Sequence, residues 1–163
     1  MKHQVENSRS THYRGTLYHG TCFSAHFHNS YELICVLSGE VSVTVNGQIS
    51  VLSEREFFLI SPCAAHSISS AEESVFFISI ISPDYIADFY ESHKGDVAYR
   101  FFVREDAFAY IKALLPCTAE LSREIQALTA GAWKTKRFLL CSEERSHIIT
   151  RQCKAAVLQT EDN

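Results

Sequence analysis

The stretch Gly20–Gly39 reads GTCFSAHFHNSYELICVLSG and decides how the rest of the chain is interpreted. Three potential metal ligands, His26, His28 and Glu32, stand at positions of the same parity within it. Successive side chains of an extended strand alternate between its two faces, so these three are expected to point to one side. Imidazole and carboxylate groups that converge from one face of a sheet form either a metal site or a polar pocket.

The same stretch resembles the first cupin motif, because it follows the spacing G-x5-H-x-H-x3-E-x6-G from Gly20 to Gly39 position for position. The second cupin motif, G-x5-P-x-G-x2-H-x3-N, is present only in part over residues 55–70. His66 occupies the position of its histidine, which is the fourth ligand of the family's metal site. The other four positions of the motif hold different residues, namely Arg55, Ser61, Cys63 and Ser70.

A narrower resemblance comes from residues 26–68, HFHNSYELICVLSGEVSVTVNGQISVLSEREFFLISPCAAHSI. They are similar to the N-terminal cupin domain of AraC-type transcriptional regulators, in which an H-x-H-x-x-Y-E-L run leads into a glycine and a hairpin, and then into a LLLISP…H run. The resemblance implies a domain that senses a small-molecule effector in its barrel and pairs two subunits. It also implies that DNA is bound only through a helix-turn-helix domain that this sequence does not contain.

Composition is that of a soluble globular chain. The 163 residues fit one domain with a sizeable core, and 46% are hydrophobic and 21% charged. The formal net charge of −4 argues against direct nucleic-acid binding, which usually depends on a basic face. No apolar run has membrane-spanning length, and the first residues lack the apolar core of a signal peptide. We therefore expect a cytoplasmic protein with no membrane partner.

The six cysteines are scattered without a C-x-x-C pair. A disulfide framework requires an oxidising compartment that the sequence does not indicate, so reduced cysteines that pack as small hydrophobic side chains are expected. Cys63 is the exception to test, because it lies in a predicted turn close to His66. Either a sensing or metal-binding thiol or ordinary packing is consistent with that position.

Apolar alternation and turn residues predict a chain of short strands, and Asn46-Gly47 is the strongest hairpin signal among them. Such a pattern indicates a barrel or a sandwich. With the cupin resemblance, the expected fold is mainly β, a double-stranded β-helix (jelly-roll) barrel over residues 1–82 followed by C-terminal α-helices over residues 83–163. The predicted strands are Tyr13–Tyr18, Thr21–Phe27, Tyr31–Leu37, Val41–Val45, Gln48–Leu52, Glu56–Ile60, His66–Ser69 and Val75–Ile81.

Helical periodicity begins at Ser82-Pro83-Asp84, where a capping residue, a proline and an acidic residue form a helix start. Further helices are expected from Glu105 to Leu115 and after Thr118, and a longer one from Lys134 to Leu158. The AraC-type resemblance implies that these helices pack on the barrel and form a homodimer interface. The alternative is a helical cap that packs only on its own barrel.

The site itself has two interpretations. In the first, His26, His28, Glu32 and His66 bind one divalent ion such as Zn, Ni, Mn or Fe, with open positions for water or ligand. In the second, the same residues form a polar pocket wall, in which they hydrogen-bond an organic ligand or each other.

Three functions are consistent with these patterns. They are the effector-binding domain of an AraC-type regulator without catalytic residues, a metal-dependent cupin enzyme of the dioxygenase or isomerase type, and a structural oligomerisation module. An enzyme needs an acid or base besides the metal ligands, and the available candidates are Tyr31 and Glu56.

Overall fold

A computed structural model of the chain describes residues 13–93, 95–103, 105–123, 125–126 and 147–148. Within these ranges, ten strands form two antiparallel sheets that face each other, which is the jelly-roll architecture predicted from the sequence. The strands are β1 Tyr13–His19, β2 Phe23–His26, β3 Tyr31–Ser38, β4 Glu40–Val45, β5 Gln48–Ser53, β6 Glu56–Ile60, β7 His66–Ser70, β8 Val75–Ile81, β9 Ala98–Phe102 and β10 His147–Ile148.

The larger sheet has the order β1-β8-β3-β6-β9-β10, and the smaller one has the order β2-β7-β4-β5. All eight strands predicted from the sequence are present, with ends that differ by no more than two residues. The β4–β5 hairpin turns at Asn46-Gly47, where both residues have positive φ (47° and 83°). This is the backbone that a type I′ turn requires, so the hairpin prediction is confirmed.

Strand β3 separates two hydrophobic cores. Its Ile34 and Val36 pack in the barrel interior with the valines of β4, whereas Leu33 and Leu37 pack on the outer side. The sequence predicted burial on both faces because both faces of the strand are apolar. The structure identifies the outer cover as helices of the same chain.

These helices are short. After a 3-10 turn at Pro83–Ile86 come α1 (Ala87–Ser92) and α2 (Glu105–Ala113), and residues 118–123 and 125–126 form a further helical segment, α3. Their predicted apolar stripes are buried against the larger sheet through Ile86, Phe89, Phe108, Ile111, Leu121 and Ile125. Within the described residues, the helical stripes therefore pack on the chain's own barrel. No helix in these ranges is both long and apolar enough to cross a membrane.

Two strands lie in the region that was expected to be helical. Ala98–Phe102 forms β9 and pairs with β6 along its whole length, from Glu56↔Phe102 to Ile60↔Ala98. The helix expected from Lys134 to Leu158 falls mostly outside the described residues, but His147 and Ile148 within it are extended and pair with β9. The open edge of β6 offers unpaired backbone groups, and pairing with them outweighs local helical propensity.

Candidate metal centre

The four predicted ligands come together at one end of the barrel. Strand pairing places His26 of β2 directly opposite His66 of β7 in the smaller sheet. His28 follows β2 in the turn before β3, and Glu32 projects from β3 in the facing sheet. One potential ligand atom from each of the four residues lies within 4.8 Å of the others. The structure thus brings together every residue that the two motifs nominated.

Each imidazole is held through Nδ1 by a backbone carbonyl. The carbonyl oxygen of Ser24 lies 2.8 Å from Nδ1 of His26, that of Ser30 lies 2.9 Å from His28, and that of Ala64 lies 2.8 Å from His66. A carbonyl oxygen can only accept a hydrogen bond, so each Nδ1 carries a proton. This fixes the tautomer in which Nε2 of a neutral ring presents its lone pair, as in metal sites whose histidines are oriented by backbone groups.

The carboxylate of Glu32 interacts with two of the three histidines. Its Oε2 is 2.9 Å from Nε2 of His28 and 3.4 Å from Nε2 of His66. Burial raises the pKa of a carboxyl group, but the hydrogen bonds and charges of the two histidines outweigh burial and lower the pKa of Glu32 to about 2. For His66 burial favours the neutral ring, yet the hydrogen bond and charge of Glu32 raise its pKa. The carboxylate is therefore ionised and attracts positive charge to this point.

The environment of the other carboxylate oxygen of Glu32 shows whether a metal ion fits this site. Glu32 is 3% exposed, and its Oε1 is buried with no hydrogen-bond partner among the described residues. A buried anionic oxygen without a partner is costly, whereas a cation placed among the four ligands would neutralise it. Three imidazoles and a carboxylate form a donor set for Zn, Ni, Mn or Fe. The residues present therefore fit a divalent ion.

The two glycine positions of the partial second motif have a backbone conformation that favours glycine. They hold Arg55 and Cys63, and both have positive φ (74° and 64°). Positive φ is unfavourable for a residue with a Cβ atom. The backbone N–H of Cys63 donates to the carbonyl of His28 at 2.7 Å, which ties the loop before His66 to the ligand loop.

A cavity of about 150 Å³ opens next to the cluster and includes His26 and Glu32 in its wall. Three residues of β1, Arg14, Thr16 and Tyr18, form another part of this wall. Sequence reasoning did not single these three out. The sequence does indicate that these three residues share one face of a predicted strand, because they have the same parity. Nothing in the sequence, however, places β1 beside the four potential ligands. The remaining lining residues are Phe23, Ser24, Ile78 and Ile80.

The two acid–base candidates lie elsewhere. Tyr31 points to the outer core, where its ring packs edge-on against Phe89 and Tyr90. The carboxylate of Glu56 accepts hydrogen bonds from the guanidinium of Arg100. Neither residue lines the cavity beside the four ligands.

Cysteine packing differs from the sequence expectation. Cys35 is buried, but Cys22, Cys63 and Cys117 are exposed, and the four cysteines in the described ranges are free thiols. Cys63 is not part of the group of potential ligands around Glu32. Cys63 lies in the turn between β6 and β7, and it is exposed.

Comparison with known proteins agrees with this fold. Residues 14–81 match the family model of the cupin domain, so this part of the chain is a cupin domain. A search of curated proteins gives no significant match.

Among solved structures, the fold resembles ToxT K231A from Vibrio cholerae with a TM-score of 0.51 and 10% identity, over 84% of this chain and 62% of that chain. Bacillus subtilis oxalate decarboxylase shares 21% identity over 45% of this chain and 22% of its own, with a TM-score of 0.39. A cupin described as RmlC-like from Shewanella frigidimarina also shares 21% identity, over 42% of this chain and 65% of that one, with a TM-score of 0.39. This chain thus spans about a fifth of the oxalate decarboxylase chain and less than two thirds of the other two.

Proposed function

We propose that this chain is the ligand-sensing and dimerisation domain of an AraC-type transcriptional regulator, which binds a small molecule beside a divalent ion in its cupin barrel. One observation carries the proposal: the cavity opens directly onto His26 and Glu32 of the four-ligand cluster. A molecule in that cavity would contact the metal centre and the strand β1 at the same time. The free energy of ligand binding would then depend on the positions of both the metal centre and β1.

The metal would be held by Nε2 of His26, His28 and His66 and by the carboxylate of Glu32. The oriented tautomers and the unpaired Oε1 of Glu32 support this assignment. When bound, a divalent ion supplies a positive centre that attracts an oxygen atom of a ligand. The described residues supply the remaining contacts.

The regulator role is supported by the H-x-H-x-x-Y-E-L pattern and by the extent of the fold likeness. The likeness to ToxT, an AraC-type protein, covers 84% of this chain and therefore continues beyond the barrel. At 10% identity it concerns the fold alone, so effector binding and DNA-linked regulation are proposals for this chain. DNA would be bound only by a separate helix-turn-helix domain.

Binding is proposed rather than catalysis because Tyr31 and Glu56, the two candidate acid–base residues, lie away from the cavity. Cupin domains occur both in enzymes and in proteins without catalytic activity. The distinguishing experiment is oxygen uptake and turnover by Fe(II)-loaded protein with small organic acids. Turnover that disappears in His26→Ala would contradict the sensor proposal.

Dimerisation is the part of the proposal that the helices would carry. Their apolar stripes are used within the chain, so a second copy would contact the outward faces, where Tyr110 of α2 is 54% exposed. Sedimentation velocity of the purified chain, untagged and analysed for metal, tests both points together. We expect a dimer that contains a single divalent ion per chain, and a metal-free monomer would contradict the proposal.

A further inference from the structure

The register of the larger sheet aligns Arg14 with Glu32. Arg14 of β1 pairs with Ile80 of β8, and Ile80 pairs on its other side with Glu32 of β3. Residues that are paired across strands project to the same face of a sheet. Arg14 and Glu32 therefore lie in one row on the inner face, separated by a single apolar residue, and both line the same cavity.

The separation of Arg14 and Glu32 determines how long a ligand must be to contact both residues. Neighbouring strands lie about 4.8 Å apart, so the backbones at Arg14 and Glu32 are separated by about 9–10 Å. An apolar cavity of about 150 Å³ holds a molecule the size of benzene. The cavity here has a comparable volume, which suits a small molecule.

The chemistry of the wall differs from one end to the other. The guanidinium of Arg14 and the hydroxyl-bearing residues Thr16 and Tyr18 lie on β1, whereas the metal ligands His26 and Glu32 lie across the cavity. Ile78 and Ile80 line the part of the wall between them. A guanidinium presents paired N–H donors that match the two oxygens of a carboxylate. The chain has a net charge of −4, so its overall charge does not attract anions, and the cationic side chain in this wall is what makes the cavity select for them.

We infer that the ligand of this cavity is a small organic acid, whose carboxylate is bound by Arg14 and whose second oxygen-bearing end lies at the metal centre. The inference rests on the proposed function, because it names the ligand class of the proposed pocket. Thr16 lies two residues from Arg14 on the same face of β1 and offers a hydroxyl to the same anion. Arg14 is thus the residue that selects acids over their neutral analogues.

The test compares malonate with malonamide, an uncharged molecule of nearly the same shape. Isothermal titration calorimetry is performed on zinc-loaded and metal-free wild-type protein, on Arg14→Gln and Arg14→Lys, and on Arg123→Gln as a matched control. Arg123 is an exposed arginine of α3 outside the cavity. Zinc content is measured for each sample, so that loss of the metal centre is seen separately from loss of anion binding.

We expect wild-type protein and Arg123→Gln to bind malonate more tightly than malonamide. Arg14→Gln should bind malonate about tenfold or more weakly, because a charged hydrogen-bonding pair is lost, while its zinc content is unchanged. Arg14→Lys should recover part of the difference, since it keeps the charge but not the paired donors.

Equal affinity of Arg14→Gln and wild type for malonate would overturn the inference, as would equal affinity of the wild type for malonate and malonamide. Wild-type protein that holds zinc but does not bind malonate would also overturn it and leave the metal site intact. Conversely, Arg14-dependent binding of malonate to protein that never holds zinc would refute the metal centre of the proposed function, and would support the contact between Arg14 and a carboxylate while overturning the placement of the second end at a metal. The two proposals therefore fail independently.

Discussion

The Nε2 atom of His28 lies 2.9 Å from Oε2 of Glu32, while Nδ1 of the same imidazole lies 2.9 Å from the carbonyl oxygen of Ser30. Because a carbonyl only accepts, Nδ1 carries a proton, and a neutral ring then directs its Nε2 lone pair at the carboxylate. Nε2 donates a hydrogen bond to Oε2 only when it also carries a proton, and without that proton the two electron-rich atoms repel each other. The contact is favourable when the ring is protonated or when a cation lies beside both atoms.

A divalent ion should therefore stabilise the folded chain. At zinc concentrations about a hundredfold above the dissociation constant, we expect the free energy of unfolding to rise by about 2.7 kcal/mol, because zinc binds the assembled ligands only in the folded state. Glu32→Gln and His66→Ala should lose this increase. The measurement is thermal unfolding followed by circular dichroism, with and without zinc.

His19→Ala is the matched control, since His19 is an exposed histidine outside the cluster. It should keep the stabilisation by zinc. If Glu32→Gln and wild type respond to zinc by the same amount, the ion binds elsewhere and the four-residue centre is wrong.

The second prediction concerns the positive φ of Cys63 in the turn before β7. Its φ of 64° is unfavourable for a residue with a Cβ atom by about 1–2 kcal/mol. Cys63→Gly removes this strain but makes the unfolded chain more flexible, so a net gain of about 0.5–1 kcal/mol is expected. Cys63→Ala keeps the Cβ and should show no gain. Urea unfolding of both variants measures the difference, and equal stability of the two would contradict the strain argument.

How far the site could be predicted depends on how local its signals are. His26, His28 and Glu32 lie within seven residues, so spacing alone was sufficient to group them. His66 was found through the motif, because the pairing of β2 with β7 that brings it opposite His26 is not visible in a local pattern. Arg14 was missed for the same reason, since only the sheet order β1-β8-β3 reveals its alignment with Glu32.

The fold, too, could be predicted where its signals are local and not where they depend on pairing between distant segments. The alternating pattern of Val41, Val43 and Val45 and the Asn46-Gly47 turn specify their hairpin locally, and it was predicted. The strand β9 has only a short run of aromatic residues, and its conformation depends on the free edge of β6. Such pairing between distant segments follows from tertiary context, which overrides weak local preferences.

Alkaline pH should destabilise the chain through Tyr13. Burial raises the pKa of Tyr13, and its hydroxyl is 2.8 Å from Oγ of Ser79. Burial also raises the pKa of the nearby Cys35 thiol. Both groups ionise more readily in the unfolded chain, where the ordinary pKa is 10.0 for Tyr13 and 9.0 for Cys35. The stability that they contribute is therefore complete below these values and is lost as pH rises beyond them.

Tyr13→Phe tests this assignment. It should cost about 1 kcal/mol at neutral pH because the hydrogen bond to Ser79 is lost, and its stability should fall less steeply above pH 10 than that of the wild type. The exposed Tyr110→Phe serves as the control and should follow the wild-type curve. The free energy of unfolding is measured by urea titration at several alkaline pH values. Parallel curves for Tyr13→Phe and wild type would refute a contribution from Tyr13.

The last prediction concerns the ion pair that connects β9 to β6. The Glu56 side chain is only 3% exposed, and its carboxylate accepts hydrogen bonds from Nε of Arg100 at 2.6 Å and from the backbone N–H of Ser53 at 2.6 Å. Arg100→Met leaves a buried carboxylate without its counter-charge. We expect a loss of about 2–3 kcal/mol, below the value for a fully buried pair because the Arg100 side chain is 28% exposed.

The double variant Glu56→Gln/Arg100→Met should recover part of this loss, since the unpaired charge is then absent while the amide oxygen can still accept from Ser53. Lys112→Met is the matched control, because Lys112 pairs with Glu54 at 2.9 Å on the surface, and it should cost less than about 1 kcal/mol. Urea unfolding of the four proteins gives the comparison. If Arg100→Met costs no more than Lys112→Met, the ion pair does not hold β9 on the barrel, and backbone pairing with β6 is sufficient.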